Sequence, residues 1–158
     1  MTLVAGHNWW PSQYRRNYWR SDHYDVSYSD SSSSVDSRYC ATHTAYGVLG
    51  AAKLGTVVDA YIAKLLSDRI IAPFFRNSNL AVIGPSFRRY FIQFFGGPKV
   101  YTGPSLLAAH NGQRLTNADF DRFVYLLRKV LNSLWVNRAI ANCMLDLLND
   151  TRSQVVGV

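Results

Sequence analysis

The sequence predicts an all-α fold, and three observations carry that prediction. Four stretches set apolar side chains three and four residues apart, the spacing that gathers them on one face of a helix: Val57 to Leu66, Phe87 to Phe95, Phe120 to Leu134, and Ile140 to Leu148. Between the second and third lies Gly96-Gly97-Pro98-Lys99-Val100-Tyr101-Thr102-Gly103-Pro104, whose glycines and prolines mark a loop. The length of 158 residues suits one domain with a tail.

Residues 1–45 form the tail. Trp9, Trp10, Tyr14, Tyr18, Trp19, Tyr24, Tyr28 and Tyr39 are scattered among Ser, Asn, Asp and Arg with no helical or strand period. Ser31 to Ser34 form a low-complexity patch. The expectation is a mostly irregular N-terminal extension that is ordered on a protein partner, because aromatics and arginines anchor interfaces. Up to Ser21 it carries Arg15, Arg16 and Arg20 and no acidic residue. That composition fits an uncleaved mitochondrial import segment, although its tryptophans make a poor amphipathic helix. An intracellular, mitochondrial location is the corresponding expectation.

The body runs over residues 46–158. A helix is expected from about Gly55 to Asp68, with Val57, Val58, Tyr61, Ile62, Leu65 and Leu66 on its apolar face and Thr56 as its cap. Pro73 predicts a tight corner before Phe74 and Phe75. Arg76 to Gly84 reads as a polar link. Pro85 then suits the first turn of a helix carrying Phe87, Tyr90, Phe91, Phe94 and Phe95. After the glycine loop, Leu106, Leu107, Ala108 and Ala109 lead directly to His110, whose ring should face something buried. Asn111-Gly112-Gln113 breaks the chain. Thr116 with Asp119 resembles a capping box for the helix that ends near Trp135, and Asn137 caps the last helix. There Ile140, Cys143, Met144, Leu147 and Leu148 face inward.

The formal net charge is +7. Up to Ala45 four arginines balance four aspartates, so the excess lies in the body, with thirteen Lys and Arg against six Asp. A basic body attracts nucleic acid, an anionic membrane, an acidic protein or an anionic ligand. Nucleic-acid binding is disfavoured, because the aromatic arm has no surplus of positive charge and no recognition motif is present. No run approaches the ~20 apolar residues of a membrane span. The two cysteines, Cys40 and Cys143, fit no zinc or redox spacing and read as free thiols in a reducing compartment. No nucleophile–base pair, carboxylate pair or phosphate loop is visible, so an independent enzymatic mechanism is not supported.

Gly96, Gly97, Pro98, Tyr101, Thr102, Gly103 and His110 together resemble the proximal segment of the truncated haemoglobins. The resemblance covers roughly residues 46–156. It implies a 2-on-2 globin sandwich holding haem b, with His110 as the iron ligand and a diatomic gas such as dioxygen on the other side. Tyr61 stands where the family has a tyrosine that donates its hydroxyl to bound dioxygen. Phe75 stands where a phenylalanine lies flat on the ring. By ungapped counting, Ile83 and Phe87 take the two distal positions, while Tyr90 and Phe91 line the pocket or its tunnel. Ser86 falls where a basic residue often meets a propionate, a role Arg88 or Arg89 would then take. Phe87 replaces the glutamine of many members, which leaves Tyr61 as the one evident donor. Ala51 replaces the second glycine of a corner that begins at Gly50. Any redox chemistry would be that of a haem-bound ligand. The alternative is a globin-like accessory subunit of a large, mitochondrial protein complex, with haem lost and Phe87 filling its space.

Overall fold

Six α-helices and two 3₁₀ turns make up residues 33–158, which the computed structural model describes, with side chains from Arg38 onward. The helices are α1 (Ser33–Thr42), α2 (Ala45–Ser67), α3 (Leu80–Phe94), α4 (Leu106–His110), α5 (Asn117–Ser133) and α6 (Arg138–Asn149). The 3₁₀ turns are Ala72–Phe75 and Arg152–Gln154. No strand occurs among the described residues, as the apolar periodicity requires. The partner contact and import signal expected of the arm through residue 32 lie outside the described residues.

The arm is not irregular throughout. Residues 33–42 form α1, and Cys40 is joined to Cys143 of α6 by a disulfide with a Cα–Cα separation of 5.3 Å. This corrects the reading of both cysteines as free thiols. Their sequence separation is 103, so nothing local could announce the pairing. The compartment reading loses its premise with it, since disulfides persist where the environment is oxidising.

Helix α2 starts well before Gly55. Thr44 caps it, its hydroxyl accepting the Gly47 N–H at 3.0 Å. Thr56 lies inside the helix and its hydroxyl donates to the Ala52 carbonyl at 3.2 Å, so it is not a cap. Gly50 breaks the helix with φ of 76°, a conformation that side chains with a Cβ resist. Helix α3 likewise starts early, at Leu80, where the Asn79 side chain accepts the Ala81 N–H at 3.1 Å. Pro85 therefore sits inside it, without the N–H that would continue the ladder. The capping box of α5 forms as expected. The Thr116 N–H donates to Asp119 Oδ2 at 2.9 Å, and the Asp119 N–H donates to Thr116 Oγ1 at 3.2 Å.

Leu54, Val57, Val58, Tyr61 and Leu65 of α2 are essentially inaccessible. They pack against α3 on one side and α5 on the other, and α6 closes the second layer. Val124, Leu127 and Leu131 of α5 and Ile140, Met144 and Leu148 of α6 supply the opposite face. The glycine pair after α3 has a steric cause. The Tyr46 N–H at the start of α2 donates to the Phe95 carbonyl at 3.0 Å, which draws the two chain segments together. A Cβ on Gly97 would stand 2.7 Å from the Ile92 carbonyl, and one on Gly96 would collide with Thr44.

The turn between α5 and α6 has a glycine geometry without a glycine. The Val136 N–H donates to the Leu131 carbonyl at 3.0 Å and the Trp135 N–H to the Asn132 carbonyl at 3.1 Å. This is a Schellman turn, and its left-handed position, φ 53°, is held by Trp135. The side chain is 87% exposed and gives little packing in return. Trp135→Gly should therefore raise stability by about 1 kcal/mol, read as a higher urea midpoint at unchanged m-value.

Candidate functional site

A cavity of about 370 Å³ opens between α3, α4, α5 and the 3₁₀ turn Ala72–Phe75. Its size suits a small-molecule or cofactor site. The turn, fixed by Pro73, contributes Phe74 and Phe75. Helix α3 contributes Ile83, Ser86, Phe87, Tyr90 and Phe91. These residues recur every three or four positions, so one helical face forms a continuous wall. Helix α5 adds Phe120 and Phe123. The rings interlock edge to face: Phe75 with Phe87 at 5.5 Å, Phe87 with Phe91 at 6.0 Å, and Tyr90 with Phe91 at 5.4 Å between centroids.

His110 lines the same cavity and is half-buried. The loop before it is built to deliver it. Gln93 Oε1 accepts the Tyr101 N–H at 3.0 Å, and the Tyr101 hydroxyl donates to the Pro104 carbonyl at 2.8 Å. Gly103 lies under the Tyr101 ring, where a Cβ would clash. Ser105 then caps α4 by accepting the Ala108 N–H at 3.2 Å. Behind the histidine, the Gly112 N–H donates to the Val158 carbonyl and the Gly157 N–H to the Leu115 carbonyl, each at 3.0 Å. Gly157 and Val158 thus clasp the turn that follows His110.

His110 Nδ1 lies 2.8 Å from the Leu106 carbonyl oxygen. A carbonyl only accepts, so Nδ1 carries the proton and donates. In the neutral ring Nε2 then keeps its lone pair, which is the form an imidazole needs to bind a metal. No group of three or more His, Cys, Asp or Glu side chains able to hold a metal ion occurs among the described residues. Among the described residues, then, no cluster of side chains completes a metal's coordination beside His110, and a cofactor that brings its own ligands suits the site. A flat macrocycle carrying its own four nitrogens meets that requirement, and the aromatic walls suit its faces. The residues present fit haem.

Six of the seven residues expected at the site line the cavity: Phe75, Ile83, Phe87, Tyr90, Phe91 and His110. Tyr61 does not. It is fully buried, and its hydroxyl donates to the Phe123 backbone carbonyl at 3.0 Å. Its ring stands edge-on behind Phe91 and Phe123, with both centroids at 5.3 Å. In this structure the hydroxyl is engaged behind the aromatic wall and does not open into the cavity. Tyr61 occupies the middle of the most buried stripe of α2, flanked by Val57, Val58 and Leu65, and such a position faces the core. Burial also pushes its hydroxyl well above the usual tyrosine range, so it stays a neutral donor. Arg88 is also placed elsewhere: its guanidinium pairs with Asp59 of α2 at 2.8 Å, on the exposed side of the fold.

The Tyr90 hydroxyl is pushed up to about 12, by burial first and by the neighbouring Tyr101 second. Phe120, Phe123 and Thr151 join the lining from sequence positions that carried no site signal. They arrive there only because α5 and the C-terminal turn pack around the cavity.

A helical protein that aims one tautomerically fixed imidazole into an aromatic cavity has the architecture of a small globin. Comparison with known proteins agrees. Residues 44–156 match the family model of the bacterial-like globins, and the chain belongs to that family. It is 28% identical to the group 1 truncated hemoglobin of Tetrahymena pyriformis over 115 residues, which covers 72% of this chain and 95% of that protein. The group 1 truncated hemoglobin of Tetrahymena thermophila is 27% identical over 108 residues, covering 68% and 89%. Among solved structures, the Fe(III) form of the Tetrahymena pyriformis protein superposes with a TM-score of 0.68 at 27% identity, over 73% of this chain and all of that one. The 2/2 hemoglobin of Synechococcus sp. PCC 7002, solved in the cyanomet state with covalently attached heme, gives 0.65 at 25% identity, again over 73% of this chain and all of that one. The fold is that of a truncated globin.

Proposed function

We propose that the chain binds haem b in this cavity, that His110 would hold its iron, and that the loaded protein would carry a diatomic gas. The observation that carries the reading is the His110 imidazole, which lines the aromatic cavity with Nδ1–H held by the Leu106 carbonyl. Iron held by one imidazole can take up dioxygen, nitric oxide or carbon monoxide at its free position. Here the protein's part would be to orient the imidazole, to brace the macrocycle against the aromatic wall that Phe75 and α3 form together, and to exclude water with aromatic side chains. The basic body favours an anionic cofactor with two carboxylates, without assigning one cation to them.

A scaffold that had lost its cofactor would gain stability by filling this space. Phe87 instead forms part of an open wall, which supports the haem reading over the alternative of a haem-free accessory subunit. Membership of a larger assembly rests on the aromatic arm alone, and a mitochondrial location on its first 21 residues alone. Both are proposals outside the described residues.

The test is an absorption titration of the full chain with haemin. The wild-type protein should develop a Soret band at one equivalent. His110→Ala should lose or shift that band and weaken haemin binding by more than the ~10–100-fold that loss of an outer-shell partner costs. A folded wild-type chain that takes up no haemin would overturn the proposal.

A further inference from the structure

We infer that Gln93 of α3 is a positioning residue for His110: through the Tyr101 backbone it fixes the short helix α4, and so sets how firmly the imidazole holds a haem iron. The inference rests on the haem reading above and deepens it by naming what governs the strength of the axial bond. Helix α4 cannot place the histidine by burial. None of its five residues is buried, Leu107 is 52% exposed, and Leu106 leans on the core only in part. A helix this short is marginal without outside support. Its position is therefore set at its two ends. At the far end, the Gly112 N–H donates to the Val158 carbonyl at 3.0 Å.

At the near end, Tyr101 is held in three ways. Its N–H donates to Gln93 Oε1 at 3.0 Å, its hydroxyl donates to the Pro104 carbonyl at 2.8 Å, and its ring stands edge-on to Tyr90 at 5.2 Å between centroids. The hydroxyl bond lies within the loop, and a ring contact can slide. The Gln93 bond is directional and fixes the Tyr101 backbone against α3. Pro104 directly precedes Ser105, whose hydroxyl caps α4 by accepting the Ala108 N–H at 3.2 Å. One turn further on, His110 Nδ1 meets the Leu106 carbonyl at 2.8 Å. Gln93 thus references the histidine to the same helix that carries Phe87 and Tyr90 along the cavity wall. A backbone N–H only donates, so position 93 must supply an acceptor of this reach. Glutamate meets that need. Methionine, of similar length, offers only a weak sulfur acceptor. The bond is part-buried, so an unpaired Tyr101 N–H carries a penalty that the loop can relieve only by moving.

The test uses the full chain as wild type, Gln93→Met and Gln93→Glu. Before any haemin is added, hydrogen exchange at the Tyr101 amide reads the bond itself. It should be about two- to tenfold faster in Gln93→Met, the range one net hydrogen bond commands, and within about twofold of wild type in Gln93→Glu. After loading, transfer of haemin to an excess of a scavenging apoprotein should quicken by a similar factor in Gln93→Met and recover in Gln93→Glu. In the reduced, ligand-free protein, the iron–histidine stretching band should fall in frequency and broaden in Gln93→Met, and return in Gln93→Glu. A general loss of stability does not move that band. A Gln93→Met protein with a lower melting temperature and an unmoved band would make Gln93 a structural contact only and overturn the inference. A Tyr101 amide that exchanges at the wild-type rate in Gln93→Met would overturn it as well. Should Gln93→Met fail to fold, Tyr101→Phe tests the relay, because it releases the Pro104 carbonyl; its band should shift in the same direction, and an unshifted band overturns the inference. A wild-type chain that takes up no haemin overturns the haem reading and this inference together. Haemin uptake with a band indifferent to position 93 overturns this inference alone.

Discussion

Removal of the Cys40–Cys143 disulfide is expected to be among the most costly changes to this protein. The bond joins α1 to α6 across 103 positions, so in the unfolded chain it closes nearly the whole globin body into one loop. Chain-entropy arguments assign a loop of that length about 4–5 kcal/mol of destabilisation of the unfolded state. Cys40→Ser, or treatment with a dithiol, should therefore lower the melting temperature by roughly 10–20 °C. The fold should survive, because the matched globin segment begins at residue 44 and its core contains neither α1 nor the bond. The helix α1 itself should fray. Its sequence has no clean apolar face, and besides the bond it is held by its packing against α6 and by Tyr39, which lies on the core and stacks on His43 at 4.2 Å. Thermal unfolding with and without reductant, followed by circular dichroism, checks both parts. A melting temperature indifferent to reduction would mean that the unfolded chain is already compact enough to make the cross-link redundant.

The same bond marks the boundary of what the sequence could reveal. Apolar stripes on α2, α3, α5 and α6 were legible because each repeats at helical spacing within one segment. The glycine loop and the entry of His110 into the cavity were legible because both are written in consecutive residues. A pairing across 103 positions is not written locally. Helix starts were displaced for a related reason. Thr44 and Asn79 are ordinary polar residues whose capping role depends on backbone geometry, whereas Thr56 and Pro85 look like start signals and lie within helices. Tyr61 shows the limit most clearly. Periodicity places it correctly on the buried face of α2. It cannot say whether that face meets the cavity or the layer behind it, since that depends on tertiary contacts such as the hydroxyl's bond to the Phe123 carbonyl in α5. Phe120, Phe123 and Thr151 reach the cavity through the same tertiary packing and had no local mark.

Arg122→Ala should destabilise the fold by about 3 kcal/mol at neutral pH. Asp68 ends α2 and is buried, with only 8% of its surface exposed. Its Oδ1 accepts the N–H groups of Ile70 and Ile71 at 3.0 and 3.2 Å, shaping the turn that leads into Ala72–Phe75. Its Oδ2 accepts Nε and Nη2 of Arg122 from α5 at 3.0 and 2.6 Å. Burial on its own would raise the Asp68 carboxyl above its ordinary 3.8, but the Arg122 hydrogen bonds, the two backbone amides and the Arg122 charge together hold it below that value. The sign of the pH dependence follows. A carboxyl depressed in the folded state contributes stability in full above 3.8, and that contribution is lost as the pH falls through the folded value. Without Arg122 its hydrogen bonds and charge are gone, and only the two backbone amides still oppose the burial, so the acid limb of the stability curve moves to higher pH. At neutral pH the variant keeps a buried carboxylate without its cation, which accounts for the size of the effect. In acid both proteins protonate Asp68, so the difference between them should shrink. Urea midpoints of the two proteins across the acid range test this directly. A difference independent of pH would mean that Arg122 acts through packing, to which its guanidinium 5.1 Å from the Tyr125 ring centroid contributes. Because Asp68 shapes the turn that presents Phe75 to the cavity, the variant should also loosen the ring wall. Loss of haemin affinity in parallel with stability is the expected second readout.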